Sequence, residues 1–199
     1  MLIMNRFRKH KHSGFTIVEL VVVIIIIGIL ATVTVVGYGS IRKTAYNIQV
    51  IAGVSQYRET IEAYKAFYKK YPQTTRELAN EQVAVVCLGT GYPDKYCGIV
   101  TGVETYEDAA FADELGKIGR GGPVSSINLR VNGETFIGAV YGIDVVPYSV
   151  SPTKWARTIQ YALQGKNADC GIEDAWSYAL QDNPATTACE IDLESVPAR

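Results

Sequence analysis

Residues 15–36 read FTIVELVVVIIIIGILATVTVV, and this stretch decides how the rest of the chain is arranged. Its only charge is Glu19. As a helix rising about 1.5 Å per residue, the run spans roughly 33 Å, enough to cross a bilayer core. Valine and isoleucine dominate residues 21–27 and favour a strand in water, but in a bilayer every backbone group must be satisfied within the segment, so a helix is expected. A carboxylate inside such a run is costly unless paired. Glu19 is therefore the residue that most needs explaining.

Outward from the run, the first 14 residues, MLIMNRFRKHKHSG, are short and basic. Arg6, Arg8, Lys9 and Lys11 carry four positive charges, so against an overall net charge of −1 the remainder of the chain stands at −5. Positive charge before an apolar run stays cytoplasmic, which predicts an N-in, C-out chain. The run is longer than the apolar core of a secretory signal peptide and contains an acid. About 160 residues follow it, the size of one soluble domain.

The string KHKHSGFTIVELVVVIIIIGILA, residues 9–31, closely resembles the N-terminal signature of bacterial type IV pilins and of the related type II secretion pseudopilins. The resemblance implies cleavage by a prepilin peptidase between Gly14 and Phe15, methylation of the new amine on Phe15, and control of assembly by Glu19. It also implies a homo-oligomeric helical filament built through residues 15–36, with membrane lipid around the helix before assembly and inner-membrane pilus machinery as partner. The chain would then move from the cytoplasmic membrane to the cell surface. Many relatives have a helix-breaking proline near the apolar run, whereas here the first proline is Pro72.

Physical reasoning points the same way for Glu19. A cut before Phe15 creates a positive amine one turn away, and a cation beside a carboxylate in a low dielectric offsets part of the burial cost of both. In a bundle, the amine of an incoming subunit paired with a neighbour's Glu19 would set the axial register.

Beyond the run, Tyr46, Val50, Val54, Tyr57, Ile61, Tyr64 and Tyr68 recur at helical spacing, with charged residues elsewhere on the helix. The helix is expected to continue to Lys70, because Tyr71 precedes Pro72 and is biased away from helical angles. Gly28, Gly37 and Gly39 are its weak points. The tyrosine stripe is read as core and the interspersed Lys and Arg as a solvated face, with no clear nucleic-acid site. The organisation is thus leader 1–14, membrane and assembly helix 15–36, amphipathic continuation 37–70 and globular head 71–199. The fold class is α+β, a long N-terminal helix packed against a small antiparallel sheet.

In the head, Thr75 to Leu78 is expected to form a helical turn, Val83 to Leu88 a strand, Gly89 to Gly98 a cysteine-closed loop, and Tyr106 to Ile118 a helix with Ala109, Ala110 and Leu115 inward. Gly116 to Gly122 reads as a flexible loop. Ser126 to Val131 and Thr135 to Tyr141 are expected to form a hairpin through Asn132-Gly133. Ile143 to Val150 would add an edge strand limited by Pro147, and Arg157 to Gln164 another strand. Asp169 to Arg199 reads as a solvated acidic segment. Cys87, Cys97, Cys170 and Cys189 all lie on the exported side, where disulfides form. Three connectivities are open, and short loops favour Cys87 with Cys97 and Cys170 with Cys189.

Both histidines, His10 and His12, sit in the leader. No nucleophile elbow, P-loop, Rossmann or metal-ligand pattern occurs, so neither catalytic residues, metal nor cofactor are expected, and the chain reads as an enzyme's substrate. Three roles stay open: a pilus-like structural subunit, a minor pilin or secretion pseudopilin, and a membrane-anchored adhesin or DNA-capture module.

Overall fold

The computed structural model describes residues 14–119, 129–131, 134–145, 155–178 and 186–196. Residues 1–13 of the leader, the Arg120–Asn128 stretch, the Asn132-Gly133 turn, Pro147 and its neighbours and Asp182 lie outside the described residues. The chain clusters into two units, residues 1–41 and 42–199. In the first, α1 (Ile17–Tyr68) begins, and its apolar side chains from Ile17 to Leu30 are exposed.

The second unit contains the rest of α1. Tyr46, Val50, Val54, Ile61 and Tyr64 are buried, as the helical spacing predicts, while Tyr57 is half-buried and Tyr68 is exposed. Each fully buried aliphatic side chain in that stripe contributes roughly 1.5–3 kcal/mol. The helix stops at Tyr68, two residues before the expected end. A short helix α2 (Thr75–Leu78) follows, its start capped by Thr74 Oγ1, which accepts from Glu77 N at 3.0 Å.

Strands β1 (Ala84–Leu88), β6 (Ala139–Val145), β7 (Trp155–Gln164), β9 (Thr186–Val196) and β8 (Trp176–Tyr178) form an antiparallel sheet in the order β1-β6-β7-β9-β8. A second antiparallel sheet has the order β3-β2-β5-β4, from β2 (Tyr96–Val100), β3 (Val103–Tyr106), β4 (Leu129–Val131) and β5 (Glu134–Phe136). Helix α3 (Ala109–Gly116) lies between β3 and β4 in the chain. The result is α+β, with a long N-terminal helix packed against antiparallel sheet.

Strand β7 occupies the middle of the five-stranded sheet, so both of its faces are covered. Residues 156–163 are all buried. One face carries Arg157, Ile159, Tyr161 and Leu163, and Tyr71, just past the end of α1, lies under the Arg157 guanidinium at 5.5 Å. The other carries Ala156, Thr158, Gln160 and Ala162.

Several sequence expectations are corrected. The returning arm of the hairpin is not one strand: Glu134–Phe136 belongs to the small sheet and Ala139–Val145 to the large one. The chain changes sheets at Ile137-Gly138, where Ile137 N donates to Cys97 O at 2.8 Å and the Tyr92 ring occupies the space a side chain at position 138 would need. Residues 143–145 are not an edge strand, because β6 is flanked by β1 and β7. The helix expected from Tyr106 begins at Ala109, since Asp108 accepts from Phe111 N at 3.1 Å and caps it. Phe111 and Leu115 turn inward, and Ala109 and Ala110 are exposed. The expected loop up to Gly98 contains the first three of the five residues of β2. The acidic C-terminal segment contains the 11-residue β9, in which Glu190 is fully buried.

Candidate functional site

The first turn of α1 is closed by a reciprocal cap. Thr16 N donates to Glu19 Oε2 at 2.9 Å, Thr16 Oγ1 donates to the same oxygen at 2.7 Å, and Glu19 N reaches Thr16 Oγ1 at 3.3 Å. This is a T-x-x-E capping box, which satisfies amide donors that a helix start leaves open. The spacing Thr16-Ile17-Val18-Glu19 announces it in the sequence, but attention to the charge alone passes over it. Thr16 is thus a residue of this site that the sequence reading missed.

Gly14 and Phe15 lie immediately outside the cap. Phe15 is 80% exposed, and a Cβ added at Gly14 would meet nothing within 4 Å. The fold therefore places no steric demand for glycine at position 14. Among the described residues no helix is long and apolar enough to cross a membrane. The apolar run whose side chains are described ends at Thr32, short of the roughly 20 residues a bilayer core requires. The sequence continues that run to Val36.

Within the head, α1 is held by polar clamps at intervals along the helix. The Asn47 side-chain amide donates to Gln164 O at 2.9 Å and accepts from Gln164 N at 2.8 Å, so it pairs with the last residue of β7 as another strand would. Arg58 donates to Glu173 O at 2.8 Å and lies 3.6 Å from Asp174. Tyr71 accepts from Lys65 at 2.7 Å and donates to Leu193 O at 3.0 Å. After the helix, Arg157 makes a two-pronged ion pair with Glu77 at 2.7 and 2.8 Å, both side chains being buried. Tyr141 Oη donates to Pro72 O at 2.7 Å beside that pair. Burial pushes the Tyr46 phenol up to about 12, and it also raises those of Tyr92, Tyr141 and Tyr161.

Cys87 is bonded to Cys97, joining β1 of the large sheet to β2 of the small one. Cys170 is bonded to Cys189, tying the segment before β8 to β9. Tyr161 Oη donates to Cys170 O at 2.8 Å and fixes that segment against the central strand. Among the described residues, no group of three or more His, Cys, Asp or Glu side chains converges as a metal site.

Comparison with known proteins bears on the N-terminal site. Residues 9–35 match the family model of the prokaryotic N-terminal methylation motif. The chain is similar to the type II secretion system core protein G of Aeromonas hydrophila, with 31% identity over 71 residues, 36% of this chain and 50% of the relative. The protein of the same name from Klebsiella michiganensis matches with the same identity and coverage. The chain thus spans about half the length of the curated relatives it matches. No solved structure matches it.

Proposed function

We propose that this chain is a pilin-like structural subunit of a helical filament, without catalytic activity. It is cut between Gly14 and Phe15 by a prepilin peptidase and N-methylated on Phe15. It crosses the cytoplasmic membrane once, N-in and C-out, until inner-membrane machinery assembles it through residues 15–36. The single observation behind this reading is the methylation motif over residues 9–35 running straight into an all-round apolar helix whose second half is built into a disulfide-bonded head. An apolar surface exposed on every side needs lipid or neighbouring copies of itself to cover it.

Type II secretion pseudopilin is a second reading within the same class, and the name of both relatives favours it. In that case the filament is short and serves secretion. Abundant sheared surface filaments would favour the pilus reading.

The experiment is intact mass and N-terminal sequencing of the membrane-bound and sheared chain. Wild type is expected to begin at methylated Phe15, and Gly14→Leu to remain uncut and membrane-retained. Because the fold has room for a side chain at position 14, loss of cleavage reports on the peptidase and not on misfolding. A chain starting at Phe15 in Gly14→Leu would refute the processing site. Glu19→Gln preserves an oxygen for the Thr16 cap and removes the charge, so it separates capping from charge pairing. Normal cleavage with little filament is expected, and wild-type filament yield would refute the pairing role.

A further inference from the structure

Two surfaces of the head are unexplained by the stalk. The first is a knob at the end of α1. Phe67 is 71% exposed, the most exposed large apolar side chain among the described residues of the second unit. It packs edge-on against Tyr68 at 4.8 Å, and Tyr68 in turn stands 4.4 Å from Tyr64. Lys69 and Lys70 follow, both exposed. The neighbouring Glu114 and Lys117 pair with each other, so they add no net charge. Single exposed apolar residues are ordinary, but an edge-on aromatic pair flanked by two cations has the make-up of an interface anchor.

The second surface is a groove of about 830 Å³ between α2, β3 and the start of α3. Val86, Val103 and Ala109 supply apolar lining, and Glu104, Glu107 and Asp108 line it as well against one cation, Arg76, with Glu107 accepting from Gly91 N and Tyr92 N and Asp108 from Thr75 N and Phe111 N. Arg76 is itself paired with Glu81 at 2.7 Å, so the negative charge prevails. The knob and the groove therefore match in both character and charge.

The two lie toward different ends of α3. The knob is fixed to the later part of α3 by the Tyr64–Glu114 hydrogen bond at 2.9 Å, whereas the groove is lined by residues at that helix's start. A contact between different patches on identical copies is head-to-tail and propagates into an open assembly when its rotation does not close.

We propose that the Phe67–Tyr68 pair of one copy, with Lys69 and Lys70, seats in the Val86–Val103–Ala109 groove of a second copy. This rests on the filament reading and adds a head contact to the stalk contact. Aromatic burial supplies affinity, and the lysines against the acidic lining set the choice of partner and its orientation.

The test places a photo-cross-linker in the full-length chain in its membrane, as Phe67→p-benzoylphenylalanine, with Ile24→p-benzoylphenylalanine reporting on the stalk. Cells carry mixed isotopically light and heavy copies, so cross-links between copies are distinguished from those within one. Position 67 is expected to cross-link to residues 102–110 of another copy. Lys69→Glu with Lys70→Glu should lower that yield at least about fivefold, and adding Glu104→Lys should recover it. Cross-links from position 67 that stay within one copy or map elsewhere, while position 24 still links copies, overturn the head contact and leave the filament reading standing. Absence of links between copies from position 24 overturns both.

Discussion

The Glu77–Arg157 pair offers a sharp test of what anchors the head to its helix. Glu77 lies on α2 and Arg157 on central strand β7, 80 residues apart, and their bidentate contact is nearly inaccessible to solvent. Arg157 also reaches Tyr141 Oη at 3.2 Å, and Tyr141 holds the Pro72 carbonyl just past α1. In Glu77→Leu the guanidinium stays buried without its counter-charge, which costs about 3–5 kcal/mol. For a folded unit of this size each kcal/mol moves the midpoint by about 2–4 °C, so the head should melt roughly 6–20 °C lower. The double variant Glu77→Leu with Arg157→Met replaces the pair by apolar groups of similar volume and should recover to within about 1 kcal/mol of wild type. The assay is differential scanning calorimetry of the full chain in detergent, with near-ultraviolet circular dichroism confirming that the tyrosine core melts in the same transition. A single-variant shift below about 2 °C would refute the cost assigned to the unpaired guanidinium. A double variant no better than the single would show that the ion pair itself, and not the removal of an orphan charge, holds the turn.

Other consequences are open to measurement. Removing either disulfide by paired Cys→Ser substitution should cost about 3 kcal/mol on the chain-entropy account, given sequence separations of 10 and 19. Chemical denaturation under non-reducing conditions checks it, and an unchanged midpoint would show that the neighbouring hydrogen bonds already constrain those loops. Gly138→Ala should destabilise by about 1–3 kcal/mol because the new methyl meets the Tyr92 ring, and Tyr92→Leu should restore part of the loss; additive effects in the double variant would count against that contact. Tyr46 has its folded-state value raised to about 12, above the ordinary 10, so its contribution is fully present below about pH 10 and is lost as pH rises through 12. The tyrosinate signal of Tyr46, taken as the difference between wild type and Tyr46→Phe, should therefore appear together with the loss of circular dichroism, and titration of Tyr46 well before unfolding would contradict its burial.

How far the fold could be read in the sequence depended on whether one physical signal dominated each segment. In α1 the apolar run reads as helix from its length and the backbone's need for internal hydrogen bonds, and the tyrosine stripe from its period, so the helix and its buried face were legible. Helix α2 and strand β1 likewise follow one local pattern. Strand β9 was not legible, because TTACEIDLESV places Thr187 and Glu190 in fully buried positions, and polar residues there satisfy tertiary partners invisible to a periodicity argument. The start of β2 hid in Gly89 to Gly98, whose glycines and proline read as a cysteine-closed loop, and Val103 to Thr105 of β3 carried no strand expectation. The split between β5 and β6 depends on Tyr92 filling the space over Gly138, a contact across 46 positions that no local rule contains. At the N-terminal site, Gly14, Phe15 and Glu19 stand out by type and position, whereas Thr16 draws notice only when T-x-x-E is read as a helix start.

The capping box changes what Glu19 has to accomplish under the proposed function. Both of its described hydrogen bonds fall on one oxygen, Oε2, and both donors belong to Thr16. Cleavage between Gly14 and Phe15 leaves the Phe15–Thr16 peptide intact, so the cap survives processing. A carboxylate in an apolar helix is then never bare: two donors of its own chain attend one oxygen from the moment the helix forms, which lowers the cost of carrying the charge in lipid. Capping is an intrachain task that any subunit performs alone, and it does not depend on a neighbour. What a neighbour's Phe15 amine would add is the charge on the second oxygen, and only that part can encode register. Under that reading the two roles share one side chain without competing: a glutamine at position 19 would close the same capping box through its carbonyl oxygen but offer no charge to a neighbour's amine.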